Sequence, residues 1–329
     1  VQLQAEHLIS LGYQRLLTFE VAGEPGGFSL FGDPPAELML TAYGLLEFSD
    51  MSEVAYVDPD LLARVVSFLT SRQNGDGSWS AGLEYSPHQA YTVDGTLAAT
   101  AYIAWGLADA GYAEGSAVQA AVYYLQSNTG QLGRRLPGSG APPPDDTAIL
   151  RATAEAAAGV TAEQPPSPLG PPDSGQISTY TLALVANALT AAGADAGPVL
   201  DELLARAEED GSLLYWTADT QTYLGSYGEA ANIETTALVA QAFLRSELHP
   251  EAAQGALDFL VANRDPGGSF YTTQATVQAL KALLLAAEPD DTEASATVTA
   301  SYTRTDGTVE TQTITVDASN ADVMQQVAF

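Results

Sequence analysis

Apolar residues recur at helical spacing along most of the chain, in segments that mostly run ten to sixteen residues between glycine and proline punctuation. Six segments begin near a threonine and are rich in Ala, Leu and Tyr: 38–48, 95–111, 145–159, 178–193, 232–246 and 272–287. Several are apolar around most of their circumference, the pattern of a helix buried on all sides. Between them lie amphipathic segments at 58–73, 115–128, 196–210 and 249–264. The first carries Asp58 as N-cap, with Pro59 at the first helical position. Buried and amphipathic helices alternate at a spacing of roughly 35–55 residues. Such self-similarity means stacked hairpins that cannot bury their faces alone. An inner ring of buried helices inside an outer ring of amphipathic ones satisfies the pattern, so the expected fold is mainly α, an α/α toroid.

The exits of the outer helices repeat in detail. Phe68, Leu69, Gln73, Gly77 and Trp79 have the same offsets as Phe259, Leu260, Arg264, Gly268 and Phe270. Tyr124, Leu125 and Gly133 fit a third time, with Thr129 and Arg135 at the polar and aromatic positions. The glycine supplies backbone freedom to leave the helix, and the aromatic packs back on the hairpin it closed. This device resembles the QW motif of the toroid enzymes that cyclise terpenes, and it argues fold only. Two Pro-rich stretches, 138–146 and 162–175, read as extended surface loops. After Pro289 the code changes: residues 295–317 alternate apolar and polar around a Thr-Asp-Gly-Thr turn, a β-hairpin signature. The expected division is a helical domain over 1–289 and the start of a β-sandwich, CUB-like, over 290–329.

Composition narrows the partners. An apolar fraction of 46% excludes wholesale disorder. No apolar run reaches the ~18–20 residues of a membrane helix, so a soluble chain without direct membrane insertion is expected. Acidic residues number 41 against 11 basic ones, and Lys281 is the sole lysine. Such a surface repels nucleic acid and anionic membrane. It reads as a solubilising acidic surface, in a saline or extracellular setting, with a specific basic partner as the other reading. The absence of cysteine excludes disulfides, thiolate metal sites and a Cys nucleophile within these residues. The opening residues 1–10 carry no secretory signal pattern and read as the middle of a helix, as if cut from a longer protein.

Candidate chemistry is sparse, and no cofactor or metal is expected. Asp145, Asp146, Thr147 and Ala148 resemble part of the acid motif of class II terpene cyclases, with Pro143 where the first Asp of that motif stands. The other reading of Asp145 is a helix N-cap, favoured by unpaired amides and the macrodipole. A zinc-dependent prenyltransferase toroid needs a cysteine ligand this chain lacks. His88 lies in the loop 83–95 between an outer-helix exit and an inner helix. An imidazole there can act as nucleophile or general base near neutral pH, or can simply be exposed. His7 and His249 read as surface residues.

The stretch Gly-Gly-Ser-Phe-Tyr-Thr-Thr-Gln-Ala-Thr at 267–276, with the Ala/Leu-rich run after it, is similar to a signature of the thioester domain in the α2-macroglobulin and complement family. Three further stretches agree in order: 12–19 with 26–33 and 40–48, then 67–79, then 232–244. The resemblance covers roughly 1–287. It implies a broad-range protease inhibitor, not an enzyme, secreted or anchored at a cell surface or in a periplasm. Its chemistry would be a covalent trap: a Cys-Gly-Glu-Gln-type thioester, sprung by proteolysis of a bait region, captures a nearby nucleophile. That motif lies upstream of residue 12 in the family, beyond the start of this chain. Hydroxyl-selective complement members carry an acyl-accepting histidine in the loop that His88 occupies. Proteases, target-surface nucleophiles and other domains of the same protein are the implied partners. A scaffold without a thioester and a cyclase-like enzyme using Asp145 are the alternatives.

Overall fold

The computed structural model describes residues 2–80, 95–130, 177–223, 225–287, 296–304 and 308–316. In chain order the elements are α1 (Gln2–Leu17), α2 (Leu38–Val54), α3 (Pro59–Thr70), α4 (Gly95–Leu107), α5 (Ser116–Thr129), α6 (Thr179–Ala191) and α7 (Gly197–Ala205). There follow β1 (Glu208–Asp210), β2 (Leu213–Tyr215), α8 (Glu229–Ser246), α9 (Pro250–Ala262), α10 (Thr273–Ala287), β3 (Ala296–Thr303) and β4 (Val309–Val316). The protein is mainly helical, as the apolar period requires. The chain divides into two compact units, Val1–Leu283 and Leu284–Phe329.

In the first unit, the segments that are apolar on every side are buried on every side. From Ala98 to Leu107 every residue of α4 is buried, as is every residue of α6 from Thr179 to Leu189. In α8 the buried stretch includes Ile233 through Phe243. These inner helices pack in sequence, α2 on α4, α4 on α6 and α6 on α8. The last inner helix, α10, joins α8 through Gln241, whose amide donates to the Gln278 side chain at 2.9 Å. It meets α2 through the Gln274 amide, donating to the Tyr43 hydroxyl at 3.0 Å, and through a 2.6 Å ion pair of Lys281 with Asp50. The described inner helices thus close on themselves, and four of them are backed by an outer partner: α3 on α2, α5 on α4, α7 on α6 and α9 on α8. The outer helices bury one stripe; in α3 it is Leu61, Val65, Val66, Phe68 and Leu69.

The repeated exit device is present and has a part that the pattern did not announce. Trp79 is fully buried, and its indole donates to the Leu69 carbonyl at 2.8 Å. Its backbone N–H donates to the hydroxyl of Thr100 on the next inner helix at 2.9 Å. The same bond joins Phe28 to Thr41, Trp216 to Thr236 and Phe270 to Thr276, at 2.9, 3.0 and 2.9 Å. A threonine near the start of the inner helices therefore serves each incoming aromatic as acceptor. Gly77 needs its freedom twice over: its φ is +88°, and a Cβ would lie 2.3 Å from the Ala120 carbonyl of α5.

Three element boundaries differ from the reading of the sequence. The segment expected as a helix over 196–210 is helical only to Ala205, and Glu208–Asp210 pairs antiparallel with Leu213–Tyr215. Gly211 at φ +64° turns the chain back, and the hairpin delivers Trp216 to the Leu203 carbonyl at 2.6 Å. Tyr215 stacks on Phe259 with centroids 4.9 Å apart. This hairpin carries a third staple at Trp216; the Gly133 expected to carry it lies outside the described residues. Helix α4 gives way at Ala108–Tyr112 to a π turn, ended by Gly111 at φ +89°. Helix α2 runs on from Phe48 to Val54. The expected helix over 145–159 and the two Pro-rich stretches lie outside the described residues.

In the second unit, β3 and β4 form the expected hairpin, with Ala296 opposite Val316 and Thr303 opposite Val309. Thr297, Thr299, Ser301 and Thr303 share a face with Thr311, Thr313 and Thr315, all exposed.

Candidate functional site

His88 and Asp145 both lie outside the described residues. Of the other histidines, His7 is exposed on α1. His249 lies half-buried at the surface, packs edge-on against Phe243 with centroids 5.5 Å apart, and holds the exposed Asp201 at 2.9 Å. The π turn places Asp109 against Arg245 of α8 in a two-pronged pair at 3.2 and 3.1 Å.

The described residues bring together a different set. Each inner helix, counting the π turn that continues α4, carries two polar residues seven positions apart: Tyr43 and Asp50, Tyr102 and Asp109, Tyr180 and Asn187, Glu234 and Gln241, Gln274 and Lys281. Two turns of helix return a side chain to nearly the same face, so these residues form two tiers. In the lower tier, Asn187 donates to the Leu238 carbonyl across the α6–α8 seam at 2.8 Å. Buried polar groups require such partners.

The upper tier, near the starts of the inner helices, holds carboxylates among phenols. Glu234 is only 3% exposed. The Tyr180 hydroxyl donates to its Oε1 at 3.3 Å, the Thr222 hydroxyl donates to Oε2 at 3.0 Å, and Ser226 bonds the same carboxylate. Burial pushes the Glu234 carboxyl up to about 6, against the pull of those three hydroxyls. Burial also raises the Tyr102 and Tyr180 phenols well above their ordinary range, and the neighbouring Tyr43, Glu234, Glu47 and Tyr223 add to the effect on Tyr102. Glu47 is raised by burial too, opposed by its bond from Tyr43 and by Lys281. Tyr102 and Tyr223 lie with ring centroids 6.2 Å apart.

Residues 216–223 and 225–228 cross the starts of α6, α8 and α10 as a strap. Asp219 accepts the Thr179 N–H with both oxygens, at 3.1 and 3.2 Å, holding α6. Ala218 N–H donates to Asn232 at 2.8 Å, and Thr222 reaches Glu234 of α8. Ser226 bonds Thr272 at 3.2 Å, and Thr272 in turn accepts from Ala275 N–H in the first turn of α10. Beside the strap, Tyr271 next to Thr272 is held at φ +59° without being a glycine, whereas Gly228 adopts its φ of +56° freely. Tyr227 and Tyr271 stand exposed beside the Ser226–Thr272 bond.

Chemically, the cluster offers a carboxyl group that changes charge near neutrality and a chain of hydroxyls able to donate or accept. Among the described residues there is no group of three or more His, Cys, Asp or Glu placed to hold a metal ion. None of this was singled out from the sequence. The signal was the seven-residue spacing of polar positions inside helices several of which read as apolar around most of their circumference.

The family model described as the A-macroglobulin TED domain matches residues 1–136 and 171–285. Among curated proteins the chain is similar to ovostatin of Gallus gallus, 25% identical over 291 residues. That alignment takes in 84% of this chain and 17% of ovostatin, so the chain spans under a fifth of that relative's length. No helix among the described residues is long and apolar enough to cross a membrane.

Proposed function

The chain belongs to the family of A-macroglobulin TED domains, and from that premise we propose that it is one domain of a larger macroglobulin-like protein that traps proteases covalently. The observation that carries the reading is the family match over both halves of the helical unit, 1–136 and 171–285. In this reading a Cys-Gly-Glu-Gln-type thioester belongs to the parent protein upstream of these residues. Cleavage of a bait region exposes it; an amine or hydroxyl of the protease or of a nearby surface attacks the carbonyl, an amide or ester forms, and the thiolate leaves. The domain is then a carrier and shield of the acyl group rather than an enzyme. His88 is the residue assigned to chemistry, taking the acyl group before a hydroxyl acceptor does. The protein works outside the cell, in a periplasm or on a cell surface, and its partners are proteases, surface nucleophiles and its own neighbouring domains. A formal net charge of −30 sets nucleic acid aside.

The test is incorporation of radiolabelled methylamine into the full-length parent, with peptide mapping. The expected result is label on a glutamine just upstream of Val1, with His88→Ala lowering transfer to hydroxyls while leaving transfer to amines. No label, with the upstream residues present, refutes the covalent trap and leaves a non-covalent scaffold.

A further inference from the structure

The strap is tied to its three helices through short polar links, and one is unlike the rest. At Asp219 a carboxylate at the strap surface caps a helix, and at Ser226 two hydroxyls meet. At Thr222 a strap hydroxyl points into the ring and is held by a carboxylate that is itself almost wholly out of water. The groups facing Glu234 are Tyr180 from α6, Tyr102 from α4, and Thr222 and Ser226 from the strap; around Tyr102 stand Tyr223 of the strap and Tyr43 and Glu47 of α2. Among the described residues no cation acts on it: burial raises its pKa, and only hydroxyls oppose that. An ion taken out of water without a counter-charge is costly, and water regains it if the covering segment lifts.

We propose that residues 216–223 and 225–228 form a proton-controlled lid over the tyrosine-lined end of the inner helices, closed firmly when Glu234 is protonated and loosened when it ionises. In the ionised state Tyr180, Thr222 and Ser226 all donate, and their three bonds replace only part of the lost hydration. In the neutral state the carboxyl proton donates to Ser226, whose own proton turns to Thr272; that bond accommodates either direction. The proton comes from and returns to solvent as the lid opens. What the lid exposes is the phenols of Tyr102 and Tyr180, the first of which lies 6.2 Å, ring centroid to ring centroid, from Tyr223 of the lid itself. The proposal holds whether or not the parent carries a thioester.

Hydrogen exchange of strap peptides in the intact chain tests it, after correction for the intrinsic pH dependence of exchange, with a peptide from α6 as reference. A carboxyl near 4.5 in the open state and about 6 in the closed one makes the lid's opening constant rise about eightfold from pH 5 to pH 8. In Glu234→Gln that rise disappears. Ser226→Ala, which keeps the acid and removes one donor, moves the midpoint to higher pH, and this second variant decides the matter if the first does not fold. Strap protection that does not vary with pH in the unaltered protein overturns the proposal. So does a rise that survives in Glu234→Gln, or an unmoved midpoint in Ser226→Ala.

Discussion

The bond from each incoming aromatic to a threonine of the next inner helix can be isolated by Thr100→Val. Thr100 and Trp79 are both fully buried, and the Trp79 N–H has the Thr100 hydroxyl as its acceptor at 2.9 Å. Valine keeps the β-branched shape, so the helix and its packing are nearly preserved. What is lost is the acceptor, together with the hydroxyl's own bond to the Thr96 carbonyl at 2.7 Å, a loss that Thr190→Val reproduces in kind. Leaving a buried N–H without a partner costs ~1–3 kcal/mol, and the added buried methyl returns roughly 0.8 kcal/mol. A net loss of about 0.2–2 kcal/mol follows. Thr190→Val is the matched control: its hydroxyl only donates back to the Ala186 carbonyl at 2.6 Å, and that kind of bond contributes little or slightly destabilises a helix. Urea unfolding followed by helical circular dichroism reads the difference. With an m-value near 3 kcal/mol/M, the Thr100→Val midpoint drops by about 0.1–0.7 M relative to Thr190→Val. Coincident midpoints refute the view that the threonine is an energetic part of the repeat, and leave aromatic packing as the whole device. Thr41→Val and Thr236→Val should match Thr100→Val, while Thr276→Val, whose bond is less buried, should fall at the low end.

Other outcomes follow from the same structure. Because the folded-state pKa of Glu234 is raised to about 6 from 4.5, the native state holds more protons between those values and stability falls as pH rises. The difference in unfolding free energy between the unaltered protein and Glu234→Gln should therefore change by about 2 kcal/mol from pH 4 to pH 7.5, the unaltered protein losing ground at the higher pH; a constant difference in melts across that range contradicts it. Gly268→Ala, at φ +87° in open space, should cost roughly 1–2 kcal/mol, whereas Gly77→Ala must also push the α5 backbone away and should cost clearly more in the same melts. A double-mutant cycle of Asp109→Asn with Arg245→Met should give a coupling of roughly 1 kcal/mol, modest because both side chains keep more than a fifth of their exposure. A chain ending at residue 289 should unfold at the same urea midpoint as the whole chain if the hairpin belongs to a separate domain; a lowered midpoint argues that the two fold together.

A −30 net charge on a helical ring throws the burial of Glu234 into relief. Most carboxylates here stay in water or take a partner: Arg64 with Glu20, Arg72 with Glu24, Arg206 with Glu202. A chain so short of cations can satisfy a buried acid with hydroxyls instead, and the strap supplies them. The hydroxyls weaken the penalty without removing it, which is what leaves Glu234 responsive to pH.

The sequence by itself determined the helices and their roles. The fully apolar stretches became α4, α6 and α8, the single-stripe stretches became α3, α5, α7 and α9, and the Phe-Leu to Trp79 spacing marked a real exit. Apolar period is a local property, and burial enforces it. The motifs in register pointed to the family for the same reason: they are contiguous in the chain. Tertiary structure alone decided the rest. That Trp216 repeats Trp79 depends on a short hairpin inserted between Leu203 and the indole it receives, which hides the spacing. Glu234 looked like one polar residue in an apolar helix. Its character comes from Tyr180, 54 residues earlier, and from Thr222 and Ser226 folded over it by the strap. The ring closes through Tyr43 and Gln274, which are 231 residues apart. Charge, desolvation and hydrogen-bond supply are properties of a neighbourhood in space, and only the folded chain assembles that neighbourhood.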